Sequence, residues 1–269
     1  VYKRQDITGK DIFLEKFINI FGGIRNLLSL FKDSTFRAFI LSSPIILSKR
    51  RLFIFDNKTL IRELSRALEK IGISRKKFDI DKLIHLFIKY NLAEIVAIVN
   101  CPNCGEVYIP LYQLKECIVK CPECWTRIPL VKARLKYILS PFFIKLIKEG
   151  IIPPLLIVLF FKGIESGISL PPGTMYYDVN IQGLNFDFLM LSPLLKVIGE
   201  AKTFARELKR ERVEALESIS SKIGAQIIVL SNLYGELSPE INKYIDRSEK
   251  IFIHLTGKTI DKLFEMLGD

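Results

Sequence analysis

Two neighbouring stretches decide how this chain is read: Leu184-Asn185-Phe186-Asp187-Phe188-Leu189-Met190-Leu191 and Lys196-Val197-Ile198-Gly199-Glu200-Ala201-Lys202. Both are short and apolar enough to be strands, and Ser192-Pro193 breaks the first from the second. Asp187 lies inside an apolar run, where a carboxylate is costly unless it is paired or holds a metal. Glu200 and Lys202 are two apart, so a strand turns both to one face. Upstream, Tyr176 to Ile181 is another β-prone run, joined to the first by the hairpin signal Gln182-Gly183. Downstream, the pattern predicts a helix over 203–223, a strand from Ala225 to Leu230, a helix over 239–247 opened by Ser238-Pro239, and a strand from Lys250 to Leu255. A hairpin and a strand followed by α-β-α-β requires crossover connections and a mixed sheet.

The stripe on the 203–223 segment is Phe204, Ala205, Leu208, Leu216, Ile219 and Ile223, at the helical period. Arg212 falls inside it, and a buried arginine needs a partner. That partner is either a structural salt bridge or a carboxylate or phosphate at an active site.

An acid on one strand and acid-x-Lys on the next, here Asp187 and Glu200-Ala201-Lys202, resembles the PD-(D/E)xK, or restriction-endonuclease-like, nuclease superfamily. Phe186 stands where the family usually has proline before the first acid. The resemblance covers residues 135–269 and implies an α/β, mixed α+β domain, a mixed sheet flanked by helices. It makes Pro154 to Gly163 the leading helix, with Glu165 near its end as an added acid or a plain surface residue. It implies that Asp187 and Glu200 hold Mg²⁺ or Mn²⁺, which polarises a phosphate and lowers the pKa of its water. Lys202 would orient that water or offset developing charge. The expected activity is phosphodiester hydrolysis in nucleic acid, with DNA as the expected substrate and a homodimer by family analogy. The alternative for the same residues is an Asp187–Lys202 ion pair on a degenerate site, in a non-enzymatic nucleic-acid-binding regulator or scaffold.

Five cysteines fall between positions 101 and 124. Four form the pairs Cys101-Pro102-Asn103-Cys104 and Cys121-Pro122-Glu123-Cys124, sixteen residues apart. Two such turns complete a tetrahedral thiolate shell, so the spacing predicts a structural Zn²⁺ in a zinc ribbon with no open coordination position. Short β-prone stretches, Glu106 to Leu111, Cys117 to Lys120 and Thr126 to Val131, fit that ribbon. Cys117 is read as a core thiol, and Trp125 is expected to pack on the second turn. His85 and His254 have no second ligand at metal spacing and are read as ordinary residues.

The formal charge of +11 is uneven. Residues 1–100 carry 19 Lys/Arg against 10 Asp/Glu, whereas residues 132–269 carry 18 against 16. Before the cysteines come a helix over 58–72, a basic turn at Ser74 to Lys77, a second helix capped by Asp79 or Asp81, and a strand from Ala93 to Val99. That is the order of a winged helix-turn-helix, in which Lys49-Arg50-Arg51 and Arg75-Lys76-Lys77 would contact phosphates. A small helical domain without DNA contact fits equally well. The predicted regions are thus 1–95, basic and helical; 96–131, the zinc ribbon; and 132–269, the nuclease-like domain. The longest apolar run, Ile151 to Phe161, is too short for a membrane span, which needs about 20 residues. Val1 to Lys10 has no secretory pattern, so a cytoplasmic protein is expected. The first residue is not Met, which is read as a fragment or a processed chain.

Overall fold

A computed structural model describes residues 9–48, 54–73, 78–114, 118–130, 133–167 and 174–267. The chain opens with α1 (Gly9–Ile20), α2 (Ile24–Lys32) and α3 (Ser34–Ser48), followed by β1 (Ile54–Phe55). Next come α4 (Asn57–Lys70) and α5 (Ile80–Lys89). Asp56 caps α4 by accepting from Thr59 N at 2.8 Å, and Asp79 caps α5 by accepting from Lys82 N at 3.0 Å. Their buried stripes, Leu60, Leu64 and Leu68 on α4 and Leu83 and Phe87 on α5, follow the predicted period.

β2 (Ala93–Cys101), β3 (Gly105–Pro110) and β6 (Arg134–Leu139) form one antiparallel sheet with β1, in the order β1-β6-β2-β3. β4 (Ile118–Lys120) and β5 (Arg127–Pro129) make a separate two-stranded ribbon. Thus β6 belongs to the sheet of the cysteine region, although the expected third region begins at 132. The apolar pattern of 134–139 fits either assignment. Its pairing with Ala93–Ile98, far away in sequence, is a tertiary choice.

After α6 (Pro141–Lys148) and α7 (Ile152–Gly167) comes the five-stranded mixed sheet. Its strands are β7 (Thr174–Ile181), β8 (Leu184–Leu191), β9 (Lys196–Phe204), β10 (Ile227–Tyr234) and β11 (Ile251–Thr256), in the order β11-β10-β9-β8-β7. β7, β8 and β9 pair antiparallel, and β9, β10 and β11 pair parallel. The parallel steps are made by α8 (Arg210–Ile223) and α9 (Pro239–Ile245), and α10 (Gly257–Met266) closes the described chain.

Side-chain alternation divides the sheet's two faces. Val197 and Ala201 pack with Ile157 and Phe161 of α7, while Ile198 packs with Val213, Leu216 and Ile219 of α8. The helix expected over 203–223 begins instead at Arg210. Lys202 and Phe204 still pair with Asn232 and Tyr234 of β10, which keeps the backbone extended, and a 3₁₀ turn at Ala205–Glu207 follows. Phe204, Ala205 and Leu208 therefore are not part of the α8 stripe, although Ala205 and Leu208 are buried.

The N-terminal helices do not stand apart from the mixed sheet. Phe17, Phe31, Phe39, Phe87 and Phe143 share one apolar cluster with Leu155 of α7, Leu233 of β10 and Phe264 of α10. No helix among the described residues is long and apolar enough to cross a membrane.

Candidate active site and metal centre

The Sγ atoms of Cys101, Cys104, Cys121 and Cys124 all lie within 4.8 Å of one another. A tetrahedral zinc with bonds of about 2.3 Å requires S···S edges of about 3.8 Å. The Cys101–Cys124 separation of 3.5 Å is on that scale. β2 and β3 bring the first turn to this point, and the β4–β5 ribbon brings the second. Thr126 holds the Cys124 thiol down to about 6, within reach of the thiolate a metal needs. Its hydrogen bond to Cys124 pushes the Cys104 thiol up instead. The four sulfurs can hold a metal such as zinc. Cys117 lies outside the described residues. Trp125 does not pack on its turn as expected: it is 73 % exposed, with Lys120 Nζ 5.9 Å from its ring.

The second constellation sits where two strands part. β8 pairs with β9 from Leu191 to Phe188, and the ladder goes no further. Asp187 fills the gap: its Oδ2 accepts from Ala201 N at 2.9 Å, in place of the carbonyl a continuing strand would offer. Lys202 Nζ donates to the same oxygen at 3.3 Å and meets Glu200 Oε1 at 2.6 Å. The other Glu200 oxygen accepts from Arg212 Nη2 at 2.8 Å. Arg212 reaches across from the first turn of α8, with its guanidinium 4.6 Å from the Phe186 ring centre. The stripe position of Arg212 is thus satisfied by a carboxylate of the sheet.

Two nearly buried carboxylates therefore share the partly exposed Lys202, and Glu200 also pairs with Arg212. Burial disfavours the Lys202 ammonium, but Asp187 and Glu200 outweigh it and hold its pKa above the usual lysine value. Lys202 is consequently a fixed cation at neutral pH. Lys202 thus stands between Asp187 and Glu200. Glu165 falls in the last turn of α7, and its side chain is outside the described part. Lys49, Arg50, Arg51, Arg75, Lys76 and Lys77 also lie outside the described residues.

One acid was missed. Asp178 of β7 stands opposite Asp187, between the ladder pairs Tyr177↔Phe188 and Val179↔Phe186. Both acids line a small cleft with Tyr177, Gly150, Ile151 and Pro154. Asp178 is in the left-handed region, at φ 48°, where β-strand residues are rare. The signal was in the sequence: Asp178 and Asp187 are equidistant from the Gln182-Gly183 turn, so a two-residue hairpin sets them opposite each other.

No protein-family model matches the chain, and no curated protein matches it. Among solved structures it is similar to Can2 from Sulfobacillus thermosulfidooxidans in complex with cyclic tetra-adenylate, at 13% identity and a TM-score of 0.38. That match covers 90% of this chain and 54% of the other, so the chain spans about half of Can2's length.

Proposed function

We propose that the chain is a divalent-metal-dependent nuclease whose active site is Asp187, Glu200 and Lys202, in a restriction-endonuclease-like domain. The observation that carries this reading is that both carboxylates converge on one point where β8 and β9 part, beside a lysine two residues from the second acid. The donor set is all oxygen and suits a hard cation, Mg²⁺ or Mn²⁺, rather than zinc. Held by Asp187 and Glu200, that cation would polarise a phosphate oxygen and lower the pKa of its bound water. Arg212 acts as a positioning residue, since its bond to one Glu200 oxygen leaves the other facing Lys202. Lys202, kept cationic, offsets charge that develops on the phosphate. Asp178 adds negative charge to the same cleft.

Nucleic acid, with DNA as the first substrate to try, would be held by the basic N-terminal third in the manner of a winged helix-turn-helix. The order α4, α5, β2 supports that part of the reading. A homodimer would place two such sites on one duplex.

The test is cleavage of plasmid, linear, branched and single-stranded substrates, with and without Mg²⁺. Asp187→Asn and Glu200→Gln should each lose at least about 100-fold in rate, the scale on which single electrostatic catalytic groups act. Thermal melts check that both variants remain folded. Wild-type rates in either variant would sink the assignment. A second reading has its own observation: both Glu200 oxygens already meet cations, as in a closed structural cluster. In that case the wild type binds nucleic acid but cleaves none of the panel.

A further inference from the structure

The two Cys-x-x-Cys turns are built alike, and one departs from the pattern in a telling way. Each places the residue after its second cysteine at positive φ: Gly105 at 81° and Trp125 at 62°. Glycine takes that conformation freely, whereas a bulky side chain is strained in it. Strain of this kind is usually offset by packing, but the Trp125 ring is 73 % exposed. Folding alone therefore gives no reason for an indole at this position.

Its surroundings supply one. Lys120 and Arg127 are direct Cα partners across β4 and β5, and both are exposed. Like charges set opposite each other on a ribbon repel. Among the described residues, neither has a carboxylate in ion-pair contact. Val119 and Ile128 point inward, so Lys120 and Arg127 share the outer face with exposed Ile118. Lys120 Nζ also lies over one face of the Trp125 ring, 5.9 Å from its centre. The tip thus joins an exposed aromatic ring, with Lys120 over one face, to a pair of cations that no described carboxylate contacts.

We propose that this tip binds an unpaired nucleic-acid strand, with Trp125 stacking on a base and Lys120 and Arg127 meeting the flanking phosphates. Stacking on an aromatic ring requires a base whose face is free, which a duplex interior does not offer. Phosphates relieve the Lys120–Arg127 repulsion and release counterions as they bind. The site is separate from Asp187 and Glu200 and does not depend on their chemistry.

Trp125 is the only tryptophan in the chain, so intrinsic fluorescence reports this position alone. The full chain is titrated, without added divalent cation, with oligo(dT), oligo(U) and a blunt duplex, each of about 16 nucleotides. Binding is followed in parallel by anisotropy of labelled oligonucleotide. Saturable quenching by the single strands, weakened by salt and much smaller with duplex, is expected. Trp125→Gly keeps the left-handed turn and should weaken single-strand binding by about 10-fold, with Trp125→Phe in between. Lys120→Ala with Arg127→Ala should lower the salt slope by about 1.4, at about 0.7 per phosphate contact on a single strand. Unchanged emission while anisotropy reports binding would overturn the proposal. So would equal quenching by duplex, wild-type affinity in Trp125→Gly, or no binding of any oligonucleotide, which would leave the tip to a protein partner. Because no Mg²⁺ or Mn²⁺ is added, each of these results is independent of whether the chain cleaves nucleic acid.

Discussion

At the scale of single residues, the fold settles charges by choosing their neighbours. Glu200 is nearly buried and would be costly alone, but Lys202 and Arg212 take one oxygen each. His254 is governed by burial rather than by charge. Its Nε2 lies 2.6 Å from Asn232 Oδ1. The Asn232 amide nitrogen donates to Tyr234 O and Gly235 O, so the oxygen faces the ring and Nε2 is the donor. Burial lowers the His254 pKa, and Glu236 opposes this only in part. A lowered imidazole pKa means that the unfolded chain binds the extra proton first as pH falls. Stability from this group is therefore intact above about pH 6.5 and declines as pH falls from there toward the folded value. Urea midpoints of the wild type should drop more steeply between about pH 6.5 and pH 5 than those of His254→Gln. Equal slopes would show that the imidazole carries no such linkage. His254 is thus an ordinary structural histidine, as its lack of a ligand partner suggests, and only its Asn232 contact was out of reach of the sequence.

At the scale of elements, β9 shows how closely the site depends on packing. Gly199 precedes Glu200, and a Cβ built on it would meet Val229 O at 3.0 Å, Val229 Cβ at 3.3 Å and Ile157 Cδ1 at 3.4 Å. Here β10 and α7 press against β9 from the side and from one face. Gly199→Ala should cost about 1–3 kcal/mol by overpacking, read as a shift in the urea midpoint. It should also displace Glu200, so any cleavage should fall further than the stability loss explains. A neutral substitution would show that the layers yield. Strands β7, β8, β10 and β11 were legible because each is a short apolar run with Gly or Ser at or just beyond its end. The start of α8 was not. Phe204, Ala205 and Leu208 fit a helical stripe by spacing, and only the pairing of Phe204 with Tyr234 keeps Phe204 in the strand and delays the helix. A local pattern cannot report a ladder partner thirty residues away.

At the scale of the whole molecule, one buried ion pair ties the two ends of the chain together. Arg37 Nε of α3 donates to Asp261 Oδ1 of α10 at 2.7 Å, and Arg37 Nη1 donates to Phe31 O at 2.5 Å. Tyr234 OH adds a bond to Leu41 O at 3.0 Å. Removing one member of a buried pair leaves the other uncompensated, so Arg37→Met should destabilise by about 3–5 kcal/mol in urea unfolding. Arg37→Met with Asp261→Leu should recover much of that loss. A single variant within error of wild type would mean that this ion pair does not hold the helices to the mixed sheet. The described N-terminal helices thus pack on the same core as the Asp187–Glu200 sheet.

The sequence by itself determined the features that local spacing encodes. These are the four thiols at metal distance in paired turns, the hairpin and its register, and acid-x-Lys on one strand face. Each depends only on backbone periods and turn lengths. The tertiary structure alone decided which distant groups meet: Arg212 with Glu200, Arg37 with Asp261, and Lys202 between two acids. It also decided that β6 joins the first sheet and that Trp125 faces solvent. Those outcomes depend on burial and on pairing between segments far apart in the chain, and no local period carries that information.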